Sequence, residues 1–213
     1  MVKTVLNVLK VAVTGGAGSG KTTVCKRLKE LGVKVISSDA LAREAVAKGS
    51  PAYKNIVNYF GEKVLISDGN INRQLLRRTI INDDVARLAL ERFIHPEISK
   101  LMQRKTAKAE EDGDRVVLIE VPLLFELGLE GQFDVVVVVS TDFEVRVKRL
   151  MDRDNISREE AENLLNVQMP NNDKVERAEF VLTNEGSKEQ LKKSVDLFYK
   201  KFLQKYTKKI ESP

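Results

Sequence analysis

The segment from Val11 to Val24 constrains this chain more than any other part of its sequence. It reads VAVTGGAGSGKTTV, so a short apolar run leads into a glycine-rich turn of the pattern G-x-x-x-x-G-K-[ST]. Apolar residues at helical spacing follow, which completes the strand, loop and helix that this motif needs. The sequence therefore predicts a phosphate-binding P-loop, in which Lys21 supplies a mobile cation and Thr22 places its hydroxyl on Mg²⁺. A glycine-rich turn that binds nothing is the simpler alternative.

Composition narrows the classes of protein to consider. The 213 residues, 42% hydrophobic and 31% charged, predict one soluble globular domain with insertions, and no uncharged apolar run reaches the length of a membrane span. The segment Met1–Lys10 lacks a cleavage site of small residues, so we expect no signal peptide and a cytoplasmic location. The single Cys25 excludes an internal disulfide and a cysteine-rich zinc site. The net charge of +5 leaves open a nucleic-acid surface or a site for a polyanionic small molecule.

Apolar runs alternate with helical patterns along the chain and predict an α/β fold with a parallel sheet of five strands. The predicted strands cover residues 11–14, 33–36, 115–120, 133–140 and 180–182. Residues 40–112 are predicted to be helical, which fits a substrate-clamping insertion or simple packing. Within them, a helix from Asp83 is expected to end at His95, because Pro96 favours the start of a new helix.

Helix-start signals mark the region after the fourth strand. Thr141 or Asp142 is expected to cap a helix rich in arginine. Ser157 and Glu160 form a capping-box pattern, and the helix that they open is predicted to run to about Met169, before Pro170.

Asp39 is the candidate general base. The second predicted strand ends in Ser37, Ser38 and Asp39, and the carboxyl ends of parallel strands face the ligand crevice of an open sheet. That position would place its carboxylate beside the P-loop. An N-cap of a helix that starts near Ala40 is the alternative, and one carboxylate can do both.

A P-loop alone does not say what happens to the terminal phosphate. The D-x-x-G and N-K-x-D motifs of switch GTPases are absent, and the third strand ends in a single Glu120. A small kinase needs an acceptor site, a base and arginines that neutralise the charge of the transferring group. Asp39, the helical region 40–112 and the arginines at positions 146, 149 and 153 meet those needs.

Several motifs in chain order resemble the dephospho-CoA kinase family over essentially the whole sequence. They are GGAGSGKTTV at 15–24, ISSD at 36–39, GNINRQLL at 69–76, the His-Pro pair at 95–96, PLLFE at 122–126, Arg149 with Arg153, and NEGS at 184–187. The resemblance implies transfer of the ATP γ-phosphate to the ribose 3′-hydroxyl of dephospho-CoA, the last step of coenzyme A synthesis. It also implies a three-layer P-loop NTPase core (residues 1–39, 113–140 and 178–213), a helical CoA-binding insertion (40–112) and a helical lid (about 141–177), within a single kinase domain.

The resemblance also implies roles for individual residues. Asp39 takes the place of the aspartate at the acceptor hydroxyl, Lys21 that of the phosphate-clamping lysine, and Arg149 that of the lid arginine that reaches the transferring group. The expected ATP-binding residues are Gly16, Ala17, Gly18, Ser19, Gly20, Lys21, Thr22, Thr23 and, near the adenine, Asn184. Arg73, His95 and Glu126 are expected with Asp39 at the acceptor, although a histidine before a proline also fits capping or packing.

The chain departs from the family pattern mildly over residues 178–184 and more clearly at two positions. Ser37 stands where the family commonly has aspartate, and Arg146 stands where it frequently has glutamine. ATP and Mg²⁺ are the expected cofactors, and dephospho-CoA is the expected small-molecule partner, without a membrane. Another small-acceptor P-loop kinase and a nucleotide-regulated nucleic-acid-binding module are the rival interpretations, the second being the weaker. The sequence does not determine the oligomeric state.

Overall fold

The computed structural model describes residues 8–80 and 83–211, the last five of them by backbone alone. The predicted core and insertion include residues 1–7, 81, 82, 212 and 213, and these lie outside the described residues, as does most of the segment that we expected not to be a signal peptide. Packing divides the described chain into two compact units, residues 8–37 with 108–211, and residues 38–80 with 83–107.

Strands and helices alternate through the first unit, as predicted. Its strands are β1 (Leu9–Thr14), β2 (Lys34–Ser37), β3 (Val116–Glu120), β4 (Val135–Ser140) and β5 (Phe180–Thr183). The helices of the whole described chain are α1 (Lys21–Glu30), α2 (Ser38–Ala45), α3 (Pro51–Phe60), α4 (Arg73–Ile80), α5 (Asp84–Glu111), α6 (Phe143–Asp154), α7 (Arg158–Asn166), α8 (Asn171–Glu176) and α9 (Lys188–Glu211). Of these, α2 to α4 and most of α5 belong to the second unit.

The five strands form one sheet in the order β2-β3-β1-β4-β5, and every neighbouring pair is parallel. β1 and β4 carry apolar residues on both faces, which a parallel strand covered by helices on both sides requires. The predicted parallel sheet of five strands is therefore confirmed. Because β1 is the central strand, the loop that follows it emerges at the middle of the carboxyl edge.

Helices α1 and α9 cover one face of this sheet. The apolar stripe of α9 (Leu191, Val195, Phe198 and Phe202) packs with Val24 and Leu28 of α1 and with side chains of the central strands. Cys25 is buried in the same cluster, where burial raises the pKa of its thiol well above the usual range, with a further contribution from the Glu120 carboxylate. Cys25 therefore acts as a small buried hydrophobe in this core.

Two helix boundaries after β4 follow the predicted caps, and one does not. Asp142 is the N-cap of α6, since its Oδ1 accepts hydrogen bonds from Glu144 N and Val145 N, and Ser157 and Glu160 form a capping box at α7. The extension of α7 to about Met169 is wrong, because the helix ends at Asn166. The backbone N–H of Met169 instead donates a hydrogen bond to the Glu126 carboxylate, a long-range contact that local sequence does not show.

The second unit is helical and has its own apolar core. Ile56, Phe60, Leu76 and Leu90 are buried together in it. The predicted helix break at Pro96 is wrong, because Pro96 lies inside the continuous α5. An internal proline costs a helix about 3 kcal/mol, and buried side chains on either side of it, Leu90 and Leu101, supply packing that offsets this.

The start of α2 contradicts the interpretation of Asp39 as a helix N-cap. The helix begins at Ser38, directly after β2, so Asp39 lies in its first turn and is not the N-cap of a helix that starts near Ala40. None of the helices described here combines the length and the apolar character that crossing a membrane would take.

Candidate functional site

The glycine-rich loop joins β1 to α1 at the middle of the sheet, where the sequence predicted it. Gly18 and Gly20 have φ values of +73° and +97°, which side chains rarely allow, and Gly20 directly precedes the first turn of α1. The Lys21 ammonium donates hydrogen bonds to the carbonyl oxygens of Gly15 (2.8 Å) and Gly16 (3.0 Å). The loop thus folds back on the Lys21 ammonium, beside the N-terminus of α1.

Thr22 and Glu120 bring two oxygen groups together beside this loop. The Thr22 hydroxyl donates a hydrogen bond of 3.0 Å to Glu120 Oε1 at the end of β3, the neighbour of β1. Mg²⁺ prefers oxygen ligands and is usually held by one or two of them from the protein, together with phosphate oxygens and water. This pair fits that ion, whereas the described residues contain no group of three or more His, Cys, Asp and Glu side chains that could form a cage.

Glu120 is a functional candidate that sequence reasoning missed. The signal was present, because an acidic residue ends a buried strand at the carboxyl edge of a parallel sheet. What the sequence did not show was the strand order, which makes β3 the neighbour of β1.

Asn184 and Arg149, both expected at the ATP site, contact the other side of the loop. Asn184 Nδ2 donates a hydrogen bond of 2.7 Å to Ser19 O, and Arg149 Nη1 donates one of 3.3 Å to Gly18 O. Arg149 Nη2 reaches the carbonyl oxygen of Asn184 at 3.2 Å, so the two predicted residues also contact each other. The buried Thr141, which the sequence marked only as a possible helix cap, donates a hydrogen bond of 3.1 Å from its hydroxyl to Ser19 O.

Two further side chains from the region after β4 lie against the start of the loop. Gln168 Oε1 accepts a hydrogen bond of 2.9 Å from the backbone N–H of Ala17. Arg146 is buried, with its guanidinium against Gly16. Gln168 carried no local signal in the sequence, since a single glutamine after a helix has no pattern of its own.

Glu126, expected at the acceptor site, forms a buried ion pair in the structure. Its Oε1 accepts a hydrogen bond of 2.6 Å from the Lys174 ammonium and one of 3.1 Å from Met169 N. The Lys174 side chain is 1% exposed and that of Glu126 is 19% exposed. Burial raises the pKa of the Glu126 carboxyl, but the hydrogen bonds and the charge of Lys174 outweigh it, so this pKa lies below its usual range.

The remaining predicted residues belong to the second unit. Asp39 lies two residues after β2 and is exposed in the first turn of α2. Arg73 is the exposed first residue of α4, which Asn72 caps by accepting a hydrogen bond from Leu75 N. His95 is exposed inside α5. Their side chains are open to solvent within this unit.

Comparison with known proteins decides the family. The sequence model of dephospho-CoA kinase matches residues 9–190, most of the chain. The chain belongs to the dephospho-CoA kinase family. Among curated proteins of that name, the one from Syntrophotalea carbinolica is 42% identical over 187 residues, which are 88% of this chain and 89% of the relative. The one from Moorella thermoacetica is 43% identical over 186 residues, 87% of this chain and 88% of the relative.

Solved structures agree with this family assignment. The match to a crystal structure of a Thermus thermophilus protein covers 91% of this chain and 97% of that protein, with a TM-score of 0.80 and 33% identity. The match to dephospho-CoA kinase from Campylobacter jejuni covers 91% of this chain and 96% of that enzyme, with a TM-score of 0.70 and 26% identity. A shikimate kinase from Acinetobacter baumannii, at 17% identity and a TM-score of 0.52, shares the fold alone. The predicted P-loop kinase fold and the predicted kinase family are confirmed.

Proposed function

We propose that this dephospho-CoA kinase family member transfers the γ-phosphoryl group of ATP to the ribose 3′-hydroxyl of dephospho-CoA, yielding coenzyme A and ADP. One observation carries the proposal beyond the family. Lys21, the Thr22–Glu120 pair and Arg149 converge on one glycine-rich loop at the centre of the sheet. Phosphoryl transfer depends chiefly on positioning and on neutralising charge, and this set of groups supplies both.

The P-loop is the proposed nucleotide side of the reaction. The loop and helix start at residues 16–23 offer the N-terminus of α1 and backbone N–H groups, other than the one of Ala17 that Gln168 holds, to the phosphates of ATP. Lys21 exchanges its two carbonyl partners for phosphate oxygens, which are stronger acceptors for an ammonium. Arg149 already contacts Gly18 O and has further N–H groups with which to reach the transferring phosphoryl group. Asn184 lies on the same side and is proposed to border the adenine.

Thr22 and Glu120 are the residues proposed to hold Mg²⁺. When bound, the ion neutralises negative charge on the phosphate chain of ATP. The Thr22 hydroxyl, which now donates to Glu120, would turn a lone pair toward the cation, and the carboxylate would balance its charge.

Asp39 is proposed to act on the acceptor. It accepts the proton of the 3′-hydroxyl while that oxygen forms its bond to the γ-phosphorus and the bond from phosphorus to the ADP oxygen breaks. Arg73 and His95, both exposed in the insertion 40–112, are proposed to bind dephospho-CoA. Glu126 is proposed to serve the acceptor by holding the segment from Met169 to Lys174 within the lid region 141–177. A cytoplasmic location follows from the need for ATP.

An ADP-release assay tests this proposal. Purified protein with ATP and Mg²⁺ is supplied with dephospho-CoA, AMP, shikimate or no acceptor. We expect release that only dephospho-CoA stimulates, with a product of the mass of coenzyme A. Stimulation by AMP or shikimate would move the assignment to another small-acceptor kinase. ATP binding without stimulation by any acceptor would contradict the proposal and favour a nucleotide-regulated nucleic-acid-binding protein, which steeply salt-dependent binding of DNA or RNA would then reveal.

A further inference from the structure

Arg146 is a buried arginine whose charge has no partner in the resting structure. The residue is 6% exposed, on the first turns of α6. Within residues 8–80 and 83–206, no carboxylate forms an ion pair with it, and its Nε is buried without a hydrogen-bond partner. Burial lowers the pKa of this guanidinium, with the Asp142 carboxylate acting in the opposite direction. A buried charge without an ion pair or a full set of hydrogen bonds destabilises the folded state unless other groups compensate the charge.

The groups around Arg146 compensate its charge only in part. Asp142 is already engaged as the N-cap of α6, where its Oδ1 accepts two backbone hydrogen bonds. Phe143 presents its ring 5.7 Å from the guanidinium carbon, at the outer limit of a cation–π contact. Gln168 Oε1, a neutral acceptor that also lies beside Gly16, is bound to Ala17 N. The arginine therefore retains hydrogen-bonding capacity for an incoming anion.

The guanidinium of Arg146 lies against the P-loop itself. A Cβ on Gly16 would overlap Arg146 Nη1, and a Cβ on Gly18 would come within 3.1 Å of the Arg146 carbonyl oxygen. A side chain on Gly16 would therefore displace the Arg146 guanidinium, and one on Gly18 would press on the backbone of α6 at this position. The Lys21 ammonium reaches the same part of the loop, since it donates hydrogen bonds to the carbonyl oxygens of Gly15 and Gly16.

We propose that Arg146 is a nucleotide-phosphate-binding residue of this chain, which adds a second positive charge at the P-loop beside that of Lys21. The two arginines of α6 differ in this respect. Arg149 donates hydrogen bonds to the carbonyl oxygens of Gly18 and Asn184, so part of its hydrogen-bonding capacity is already used within the protein. Arg146 also lies at the loop, but its guanidinium has no hydrogen-bond partner among the described residues, as expected of a group that binds an anionic ligand. The inference rests on the proposed nucleotide site but not on the identity of the acceptor.

Nucleotide binding and ligand-free stability together test this role. ADP binding in the presence of Mg²⁺ is measured by calorimetry, and unfolding midpoints with and without ADP by circular dichroism, for the wild type, Arg146→Gln, Arg146→Lys and Lys148→Gln. Lys148 is exposed on the same helix, so its variant makes the same change of charge outside the site.

We expect Arg146→Gln to weaken ADP binding by about tenfold to a hundredfold, the usual effect of losing a charge-assisted hydrogen bond. Its ligand-free midpoint should stay the same or rise, because an uncompensated buried charge has been removed. Arg146→Lys should recover part of the lost affinity, and Lys148→Gln should match the wild type in both measurements.

Three results would overturn the proposal. One is wild-type ADP affinity in Arg146→Gln. Another is a lower ligand-free midpoint in that variant with its ADP-induced rise intact, which would make Arg146 a packing residue. The third is an Arg146→Lys variant as weak as Arg146→Gln, since positive charge would then not be what the nucleotide needs. Because dephospho-CoA takes no part in these measurements, failure of the acceptor assay would leave their outcome intact.

Discussion

Breaking the buried ion pair between Lys174 and Glu126 should destabilise the protein far more than removing both of its members. The Lys174 side chain is 1% exposed, so Glu126→Met would leave an unpaired ammonium without water. Loss of one partner of such a pair typically costs about 3–5 kcal/mol. Lys174→Met leaves a carboxylate that is 19% exposed, so its cost should fall near the lower limit, about 3 kcal/mol.

The double variant should recover most of that loss. Replacing a buried pair by apolar side chains of similar length is often neutral, and what remains is the unpaired N–H of Met169, worth about 1 kcal/mol. In a chain of this size each kcal/mol lowers the unfolding midpoint by about 2–4 °C, so the single variants should melt roughly 6–20 °C below the wild type. Circular dichroism, during heating and during urea unfolding, measures these differences in stability, since the chain has no tryptophan whose fluorescence could be followed.

The pH dependence supplies a second, independent readout. The pKa of Glu126 is lowered in the folded protein, so its contribution to stability is present above the pKa of an unfolded glutamate, about 4.3, and is lost as the pH falls through the folded value. In Lys174→Met the hydrogen bond and the charge of Lys174 are lost, so only backbone hydrogen bonds still oppose the burial that raises this pKa. The stability gap between the wild type and this variant should therefore narrow on acidification. Single variants within 1 kcal/mol of the wild type at pH 7, or a double variant worse than both, would refute the reasoning.

Three further predictions concern the site itself. Asp39→Asn should lower turnover by about 10²- to 10⁴-fold with nearly unchanged ATP affinity, while the exposed control Asp152→Asn should keep both at the wild-type level. Wild-type turnover in Asp39→Asn would remove Asp39 from the mechanism. Glu120→Gln should raise the Mg²⁺ concentration needed for half-maximal activity, because the amide still accepts from Thr22 but lacks the charge, and an unchanged Mg²⁺ titration would contradict the metal assignment. Cys25 should resist iodoacetamide in the native state and react on unfolding, as mass spectrometry can show, because burial raises the pKa of its thiol; rapid native labelling would disagree.

Patterns within a few residues of each other predicted most of the fold. The strand, glycine turn and helix around Lys21 were recognisable because each part has its own spacing and because the motif places them in a set order. The capping box at Ser157 was equally legible, since both of its hydrogen bonds lie within four residues. The same local logic failed at Pro96, where a helix-breaking residue was outweighed by packing along α5.

The candidate site was predicted in outline, and its details depended on contacts between distant segments. Asn184 and Arg149 were placed by the family resemblance, and the structure brings both to the loop. Gln168 and Glu120 were missed because each contacts the loop from more than ninety residues away in sequence. Side chains of ordinary type carry no mark of such a contact.

By itself, then, the sequence determined the P-loop, the alternation of strands and helices, and the family, because these depend on residue order and on short-range spacing. Only the tertiary structure decided that β3 lies beside β1, which brings Glu120 to Thr22. The tertiary structure alone buried Lys174 against Glu126 and left Arg146, at the P-loop, without a carboxylate partner among the side chains it describes. The physical reason is that burial and charge pairing are properties of the packed chain, where segments far apart in sequence exclude water from one another.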